Sequence, residues 1–377
     1  MKLHPVITLA LTGITLIGLT LFTVLYAEGW RFNTQTKAIQ KTGILAIRSI
    51  PEGAKVYLNK KVVTATNDTI QSLTPGKYTV EVQKDGFEVW TKELEIYPEL
   101  VTDITAVLVS QSPRIEPLTN TGVLTFTLSS SLDKIAYTTK NSERPGIWML
   151  PLSSNALNMF KTNQNLIAED TIERSYSNAE NIWWAPDDSE ILVQMNEEGY
   201  YLIDLQRQGS NPLEVTSQKP IFEKWQNERL KKRRALLEKQ KISEDLKEIA
   251  LNDNTIWSPD DKKILYLKNF GDVAELNIYN MEDPLPIGET RHYITYRAKK
   301  DALKNIAWYP DSYHLILLED KTISIIRIDG TNKTEVFSAN GNLISDNVFP
   351  SPWGDKIIIL ASFKQNALPD LYAVGIR

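Results

Sequence analysis

The sequence predicts a mostly β protein: an N-terminal transmembrane helix, a small domain of short strands, and a five-bladed β-propeller that carries a helical insertion. Three observations predict it. An uncharged apolar segment fills residues 5–27. Short alternating strand patterns separated by turns that contain Gly and Pro fill residues 42–110. One strand–turn–strand motif recurs between residues 111 and 377.

The composition excludes several kinds of chemistry. The 377 residues are 42% hydrophobic and 24% charged, which is ordinary for a folded chain. The net charge of −5 gives no indication of nucleic-acid binding. The chain has no cysteine, so disulfides, cysteine zinc sites, iron–sulfur clusters and thiol nucleophiles are excluded, and its three histidines make histidine-based catalysis improbable. We therefore expect no catalytic site, no bound metal and no cofactor.

The apolar segment predicts a membrane anchor. Twenty-three residues give a helix of about 35 Å, longer than the ~30 Å hydrocarbon core of a bilayer. A secretory signal has a shorter apolar stretch, and Leu25-Tyr26-Ala27 is a poor cleavage site. Residues 1–27 are therefore interpreted as an uncleaved signal anchor, with cleavage as the alternative. Tyr26 and Trp30 are suited to the membrane interface.

Charge does not settle the orientation of this helix, because basic residues lie on both sides of it. Its position decides instead, since a single N-terminal anchor before a large folded region usually sends that region outside. We expect a single-pass membrane protein with most of the chain extracytoplasmic, at the cell surface or in the periplasm. Residues 28–41 are polar and are interpreted as a linker.

Residues 42–110 carry a specific set of motifs. The tetrapeptide Pro51–Ala54 is followed by VYLN, then by LTPGKYTVEV from Leu73, then by the pair Gly86–Phe87. Tyr78, Val80 and Val82 alternate with polar residues, as in a strand with one buried face. The segment resembles a PEGA domain. The resemblance implies a small β-sandwich that serves as an extracytoplasmic binding or spacer module, without catalysis.

The remaining chain contains internal repeats. Four 13-residue segments align without gaps, and a degenerate fifth copy starts at Thr125; the four start at Asn181, Asn254, Asn305 and Asn347. Successive copies are 56, 73, 51 and 42 residues apart, and removing a 33-residue stretch of different character leaves 40 in the longest interval. A propeller blade repeats every ~40–45 residues. The copies, and the run SPDDKKILY above all, resemble the blades of TolB-type, WD-like β-propellers.

The blade count follows from the last repeat, which lacks an outer strand. Residues 113–118 stand where such a strand belongs, so we expect this closing strand to complete the last blade and remove a free sheet edge. That arrangement has five blades. Six is the alternative, if the 56-residue interval holds a degenerate unit.

The repeated asparagines are candidate ligand-binding residues at a channel mouth. Asn181, Asn254, Asn305 and Asn347 should begin the innermost strands. The structural alternative, which regular repetition favours, is that each bonds to the backbone of its own blade. The pairs Asp187-Asp188 and Asp260-Asp261 are interpreted in the same way, as turn residues rather than calcium ligands.

A charged stretch interrupts the repeats at residues 217–252. Between residues 219 and 248 there are ten basic and six acidic residues, so this part is +4 and the rest of the chain is −9. Apolar spacing and a helix start at Ser243 predict two helices projecting between blades. The basic cluster Lys231, Lys232, Arg233 and Arg234 is the candidate partner-binding site. The alternative is a solvated helix face packed across the side of the propeller.

Together these features resemble a membrane-anchored surface protein of bacteria or archaea. The function expected is binding or scaffolding, with the propeller presented to a protein or a cell-envelope polysaccharide. One alternative is a glycoside-active propeller enzyme, which would need two carboxylates ~5–10 Å apart. The sequence has no nucleophile elbow and no phosphate-binding loop. The other alternative is a structural subunit of an envelope complex.

Overall fold

The N-terminal helix is the one that the sequence predicts. The computed structural model describes residues 5–33, 37–152, 164–195, 199–207, 211–339, 342–363 and 368–377. Helix α1 spans Pro5–Ala27, and residues 1–4 of the expected anchor lie outside the described residues. From Ile7 to Ala27 it is long and apolar enough to cross a membrane. The hydroxyls of Thr12 and Thr15 donate to carbonyls one turn back, which satisfies them within the helix.

The segment expected to be a linker instead forms a β-hairpin. Strands β1 (Trp30–Asn33) and β2 (Ala38–Lys41) pair antiparallel. Residues 34–36 lie outside the described residues. The polar composition of residues 28–41 suggested a linker, but the hairpin is held by contacts to residues elsewhere in the chain, which no local pattern reveals.

Two sheets follow and form a small sandwich. The strands are β3 (Gly43–Ile50), β4 (Lys55–Leu58), β5 (Lys61–Ala65), β6 (Asp68–Leu73), β7 (Gly76–Gln83), β8 (Trp90–Ile96) and β9 (Val101–Val107). One sheet has the order β6-β3-β9 and the other β5-β4-β7-β8. The strands β3 and β9 are parallel, whereas the other pairs are antiparallel.

The core of the sandwich contains the residues that the alternation selects. Val80 and Val82 are fully buried, and Tyr78 packs against the same cluster. Trp90 from β8 and Ile104 from β9 complete it. Burial of each large apolar side chain here contributes ~1.5–3 kcal/mol.

The rest of the chain forms five four-stranded antiparallel sheets within the described residues, here called blades 1 to 5. A separate strand, β10 (Ile115–Pro117), precedes them. Blade 1 has β11 (Phe126–Leu128), β12 (Lys134–Thr139), β13 (Gly146–Pro151) and β14 (Asn165–Glu169). Blade 2 has β15 (Ala179–Trp184), β16 (Glu190–Met195), β17 (Gly199–Asp204) and β18 (Leu213–Val215). The mostly β fold class is confirmed.

Two helices separate blades 2 and 3, α2 (Lys219–Leu237) and α3 (Glu244–Leu251). Blade 3 has β19 (Ile256–Trp257), β20 (Lys263–Phe270), β21 (Val273–Asn280) and β22 (His292–Lys299). Blade 4 has β23 (Leu303–Trp308), β24 (His314–Glu319), β25 (Thr322–Arg327) and β26 (Thr334–Ser338). Blade 5 takes β27 (Phe349–Pro350), β28 (Lys356–Ala361) and β29 (Asp370–Gly375), with β10 as its fourth strand.

Strand β10 gives blade 5 its outer edge. It pairs with β29 in the register Ile115↔Val374 to Pro117↔Tyr372. The sheet order is therefore β10-β29-β28-β27, which joins the beginning of the repeat domain to its end. Lys356 and Glu116 form an ion pair at 2.8 Å across this edge.

A short 3-10 helix, Tyr176–Asn178, leads into blade 2.

The first helix of the insertion packs on blade 2. Trp225 is buried against Ala185 and Leu192, and its indole N–H donates to Glu190 Oε1 at 2.9 Å. Lys224 lies 3.0 Å from the same carboxylate oxygen. The helix therefore packs against the propeller through its apolar face instead of projecting freely.

The end of α2 and the whole of α3 pack on blade 3. Leu237 and Ala250 are buried with Ile264 and Met281 in one apolar cluster. Ser243 is the N-cap residue of α3, so the predicted start of this helix is confirmed. The insertion thus bridges two neighbouring blades.

Candidate partner-binding face of the propeller

The five turns that join the first and second strands of the blades share one backbone feature. In each turn the third residue before the repeated aliphatic position has φ between 56° and 64°, the left-handed region. The motif makes this residue Asp or Gly in three blades, types that adopt this conformation readily. The five residues are Leu132 (φ 64°), Asp188 (57°), Asp261 (56°), Ser312 (61°) and Gly354 (62°).

Turns of neighbouring blades are bonded to one another. Asp188 in blade 2 accepts the backbone N–H of Ser130 at 2.7 Å and of Ser131 at 3.0 Å, both in blade 1. In blade 5 the carbonyl of Gly354 accepts the hydroxyl of Tyr309 from blade 4 at 2.6 Å. The turns therefore gather at one end of the propeller, here called the turn-end face.

The insertion replaces this contact between blades 2 and 3. Asp261 has the place in blade 3 that Asp188 has in blade 2, but it pairs with Lys232 of α2 at 2.9 Å. The tryptophans that stand three residues after Asn254 and Asn305 show the same departure. Trp308 donates its indole N–H to Ile256 in the innermost strand of the preceding blade, at 3.1 Å, whereas Trp257 donates to Ala250 of α3, at 2.8 Å.

A cavity of about 370 Å³ opens where the innermost strands converge. Blades 1, 3, 4 and 5 line it, together with Lys232 of the insertion. Its surface is mainly apolar. The apolar lining residues are Leu128, Leu132, Ile256, Trp257, Pro259, Ile306, Ala307, Trp308, Phe349 and Pro350. The Lys232–Asp261 ion pair lies at this cavity, so the insertion contributes a charged group to a mainly apolar site.

The structure separates the four members of the basic cluster. Lys232 pairs with Asp261, and the Arg233 guanidinium lies 5.5 Å from the centroid of the Trp257 ring and donates to the carbonyl of Thr255 at 3.4 Å. Burial, and then the neighbouring positive charge of Arg229, lower the pKa of Arg233. Two of the four therefore face the propeller.

Lys231 and Arg234 are exposed. At ~100° per residue they project from the same, outward side of α2. No ion pair joins either of them to another of the described residues. They form a two-residue cationic site, narrower than the four-residue cluster seen in the sequence.

The four repeated asparagines lie away from the turn-end cavity. Asn181 and Asn305 lie within the innermost strands, each after a register irregularity, while Asn254 and Asn347 precede theirs. The Asn181 amide donates to Gln194 Oε1 of its own blade at 3.0 Å. Asn254 lines a separate cleft beside Tyr266. None of the four lines the turn-end cavity.

The paired acids have partners within or between turns. Asp187 accepts the hydroxyl of Ser189 at 2.6 Å, and Asp260 lies 3.2 Å from Lys263 Nζ. Bonds to Ser189 lower the pKa of Asp187. Over the part of the chain that the structure describes, no three His, Asp or Glu side chains converge as a metal site would require.

Sequence reasoning missed Trp353. This residue lies in the blade 5 turn, at the position that Asp187, Asp260 and Asp311 have in blades 2, 3 and 4, and it is 58% exposed. It lines a groove with Leu118, Leu150 and Leu152 between blades 5 and 1. The sequence did contain a signal, because the aligned repeats have tryptophan at this position in blade 5 and aspartate in blades 2 to 4. Exposed tryptophans in grooves are frequent binding anchors.

The family comparison identifies the sandwich. Residues 42–112 match the model of the PEGA domain, which confirms the resemblance read from the motifs. The match covers the sandwich and the few residues after it. No curated protein matches the chain in sequence.

Solved propeller-containing structures are only distantly similar. TolB from Acinetobacter baumannii is 12% identical, over 79% of this chain and 60% of that one, with a TM-score of 0.27. An oligogalacturonate lyase from Vibrio parahaemolyticus is 10% identical, over 79% of this chain and 74% of that one, with a TM-score of 0.26. At such scores these likenesses carry no argument, and the propeller assignment rests on the repeats and the sheet topology.

Proposed function

We propose that this chain is a membrane-anchored, extracytoplasmic scaffold protein whose turn-end face binds a partner protein. The observation that carries the proposal is the exposed Trp353 beside apolar surface at the end of the propeller where the cavity opens. The chain order of apolar helix, PEGA domain and propeller suits a PEGA domain that serves as a spacer module. The exposed pair Lys231 and Arg234 adds positive charge that suits an acidic patch on the partner.

The cavity supports binding rather than hydrolysis. Glycoside chemistry uses two carboxylates on either side of the scissile bond. Among the residues that line this cavity, Asp261 is the one acid, and Lys232 neutralises it at 2.9 Å. A polysaccharide ligand or a structural place in an envelope complex remains the competing proposal, and the experiment below separates them.

The test is affinity purification of the full-length protein from detergent-solubilised membranes of its own cells. Trp353→Ala removes the proposed anchor. The matched control is Leu213→Ala, since Leu213 is 62% exposed on β18, the outermost strand of blade 2. We expect one or more proteins to co-purify with the wild type and the control and to be lost from the Trp353→Ala variant.

The opposite results are equally informative. Identical co-purified proteins from all three would place the interface elsewhere, as in a structural subunit held by other surfaces. Loss of envelope polysaccharide but of no protein from Trp353→Ala would favour the polysaccharide alternative. Recovery of the protein without detergent would contradict the membrane anchor.

Protease digestion of intact cells tests on which side of the membrane the propeller lies, because an extracytoplasmic propeller is accessible to the protease.

A further inference from the structure

The hairpin that replaces the expected linker has one strongly apolar face. Phe32 on β1 and Ile39 on β2 lie directly opposite each other, and their side chains are 61% and 65% exposed. The preceding pair on the same face is Trp30 and Lys41, with the Lys41 ammonium 5.5 Å from the centroid of the Trp30 ring. An exposed apolar pair of this kind gains free energy when a non-aqueous neighbour covers it.

The other face of the hairpin is polar and already occupied. Arg31 donates to the carbonyl of Tyr26 at 2.6 Å and to Ser72 Oγ of β6 at 3.3 Å. Its guanidinium also lies 3.5 Å from the centroid of the Tyr26 ring. One arginine therefore ties together the last turn of α1, the hairpin and the sandwich, and donates to a carbonyl at the helix end.

Further bonds hold the hairpin in this orientation. Lys41 and Glu99 form an ion pair at 2.5 Å, and the backbone N–H of Thr42 donates to the carbonyl of Gly29 at 3.0 Å. The segment is thus fastened at both ends rather than free to swing. The direction in which Phe32 and Ile39 point is set relative to α1.

We propose that the Trp30–Phe32–Ile39 face lies in the headgroup region of the bilayer that α1 crosses. The inference rests on the proposed membrane anchoring. Lipid is the occupant that the geometry favours, because only two residues separate the end of α1 from β1. The headgroup layer extends roughly 5–8 Å beyond the hydrocarbon on each side, so a segment this close to the helix end lies within its reach.

The chemistry of this face suits that layer. Tryptophan is enriched at membrane interfaces, phenylalanine and isoleucine bury in the upper acyl region, and a lysine stem reaches back to the phosphates. The chain would then hold the membrane through a helix and an interfacial hairpin, and Arg31 would transmit the resulting orientation to the sandwich.

The test uses the absence of cysteine, which makes any single introduced cysteine a unique labelling site. Phe32→Cys and Ile39→Cys place an environment-sensitive fluorophore on the proposed face. Val62→Cys on β5 is the matched control, because Val62 is an apolar strand residue that is 62% exposed. Leu16→Cys, in the middle of α1, reports on the anchor itself.

Each full-length labelled variant is reconstituted into vesicles of phosphatidylcholine and phosphatidylglycerol, with bromine on the lipid chains either near the headgroup or deep. We expect the labels at residues 32 and 39 to be quenched several-fold more than the label at residue 62, and more by shallow than by deep bromine. The label at residue 16 should be quenched best by deep bromine.

Two failures are distinguishable. If the residue 16 label is quenched but those at 32 and 39 resemble that at 62, the hairpin inference is overturned and the anchor stands. If the residue 16 label is not quenched at all, the proposed anchoring fails, and this inference fails with it.

Discussion

At the scale of single residues, the boundary between blades 3 and 4 contains a buried charge cluster. Lys263 is 0% exposed, with its ammonium 2.7 Å from Glu282 Oε1 and 3.2 Å from Asp260 Oδ2. The ring of Tyr313 lies 4.0 Å below the ammonium, and its hydroxyl donates to Glu282 at 2.8 Å. Each charged group in this cluster has an oppositely charged partner, which is the condition for burying it.

Lys263→Met leaves two carboxylates without their cation. We expect the free energy of unfolding of the propeller to fall by about 3–5 kcal/mol, since breaking a buried pair strands its partner. The control is Lys262→Met. Lys262 is the exposed neighbour, 4.0 Å from Glu282, and its loss should change stability by less than about 1 kcal/mol. Chemical denaturation followed by tryptophan fluorescence measures both, and equal effects would contradict the prediction.

Acid should weaken the same cluster. Burial favours the neutral acids, but bonds from Lys263 and neighbouring groups outweigh it and hold the pKa values of Glu282 and Asp260 below their ordinary values of 4.5 and 3.8. A lowered folded-state pKa contributes stability above the ordinary value, and this stability is lost as the pH falls through the lowered one.

The destabilisation caused by Lys263→Met should therefore shrink as the pH falls from ~7 to ~3, because protonation discharges the stranded carboxylates. Unfolding curves of both proteins across this range measure the difference. A difference that stays constant or grows with acidity would show that Lys263 does not act through these carboxylates.

At the scale of the elements, the turns act both as chain reversals and as bonds between blades. Asp188 has φ 57° and accepts two backbone N–H groups of blade 1. Asp188→Gly should lose the bonds but keep the conformation, at a cost of about 1–3 kcal/mol. Asp188→Ala should cost about 1 kcal/mol more, since alanine adopts the left-handed region less readily. Thermal unfolding of the two variants separates the effect of the lost hydrogen bonds from the effect of the backbone conformation. Equal unfolding midpoints would mean that the backbone conformation contributes nothing.

Trp225 holds the first part of α2 on blade 2. Removing this buried side chain costs about 3–5 kcal/mol of packing and leaves Glu190 without its indole donor. We expect Trp225→Ala to release α2, so that trypsin cleaves at Lys231 to Arg234 while the blades stay resistant. The exposed Glu223→Ala variant is the control and should resist like the wild type. Mass spectrometry of a short digest locates the cleavage, and an uncut insertion would refute the prediction.

At the scale of the whole molecule, the repeat domain is closed by contacts between residues some 250 positions apart. Asp370 accepts the Thr119 hydroxyl at 2.9 Å and the backbone N–H of Gly122 at 3.0 Å, and Thr119 accepts the N–H of Leu371 at 2.9 Å. These bonds hold the loop that follows β10 against the start of β29.

Thr119→Val should lower the free energy of unfolding by about 2–3 kcal/mol, because it deprives both Asp370 and the Leu371 N–H of a partner. Thr121→Val is the matched control, because it makes the same substitution two residues away. The Thr121 hydroxyl is buried and has no partner among the described residues, so its removal should be neutral or stabilising. Denaturation midpoints compare the two, and a larger loss from Thr121→Val would overturn this account of the closure.

Much of the fold was predictable because its signals are local. Alternation placed Val80 and Val82 in the sandwich core, and the Pro-Asp turns marked the blades. The candidate site was predictable only in part. Helical periodicity shows that Lys231 and Arg234 share a side of α2, but which side faces the propeller depends on Trp225 and the blade beneath it. Trp353 could be singled out only because three aligned repeats have aspartate at its position.

By itself the sequence determined the apolar helix, the strand alternation and the repeated turns, since periodicity and turn chemistry act over a few residues. Only the tertiary structure decided that the segment expected to be a linker contains the paired strands β1 and β2, that Lys232 pairs with Asp261, and that Trp225 packs on blade 2. Each depends on partners far apart in sequence, such as Arg31 with Ser72, whose meeting is set by the packing of whole elements. No local pattern encodes such a meeting, because the free energy that selects it comes from surfaces that exist only once the chain has folded.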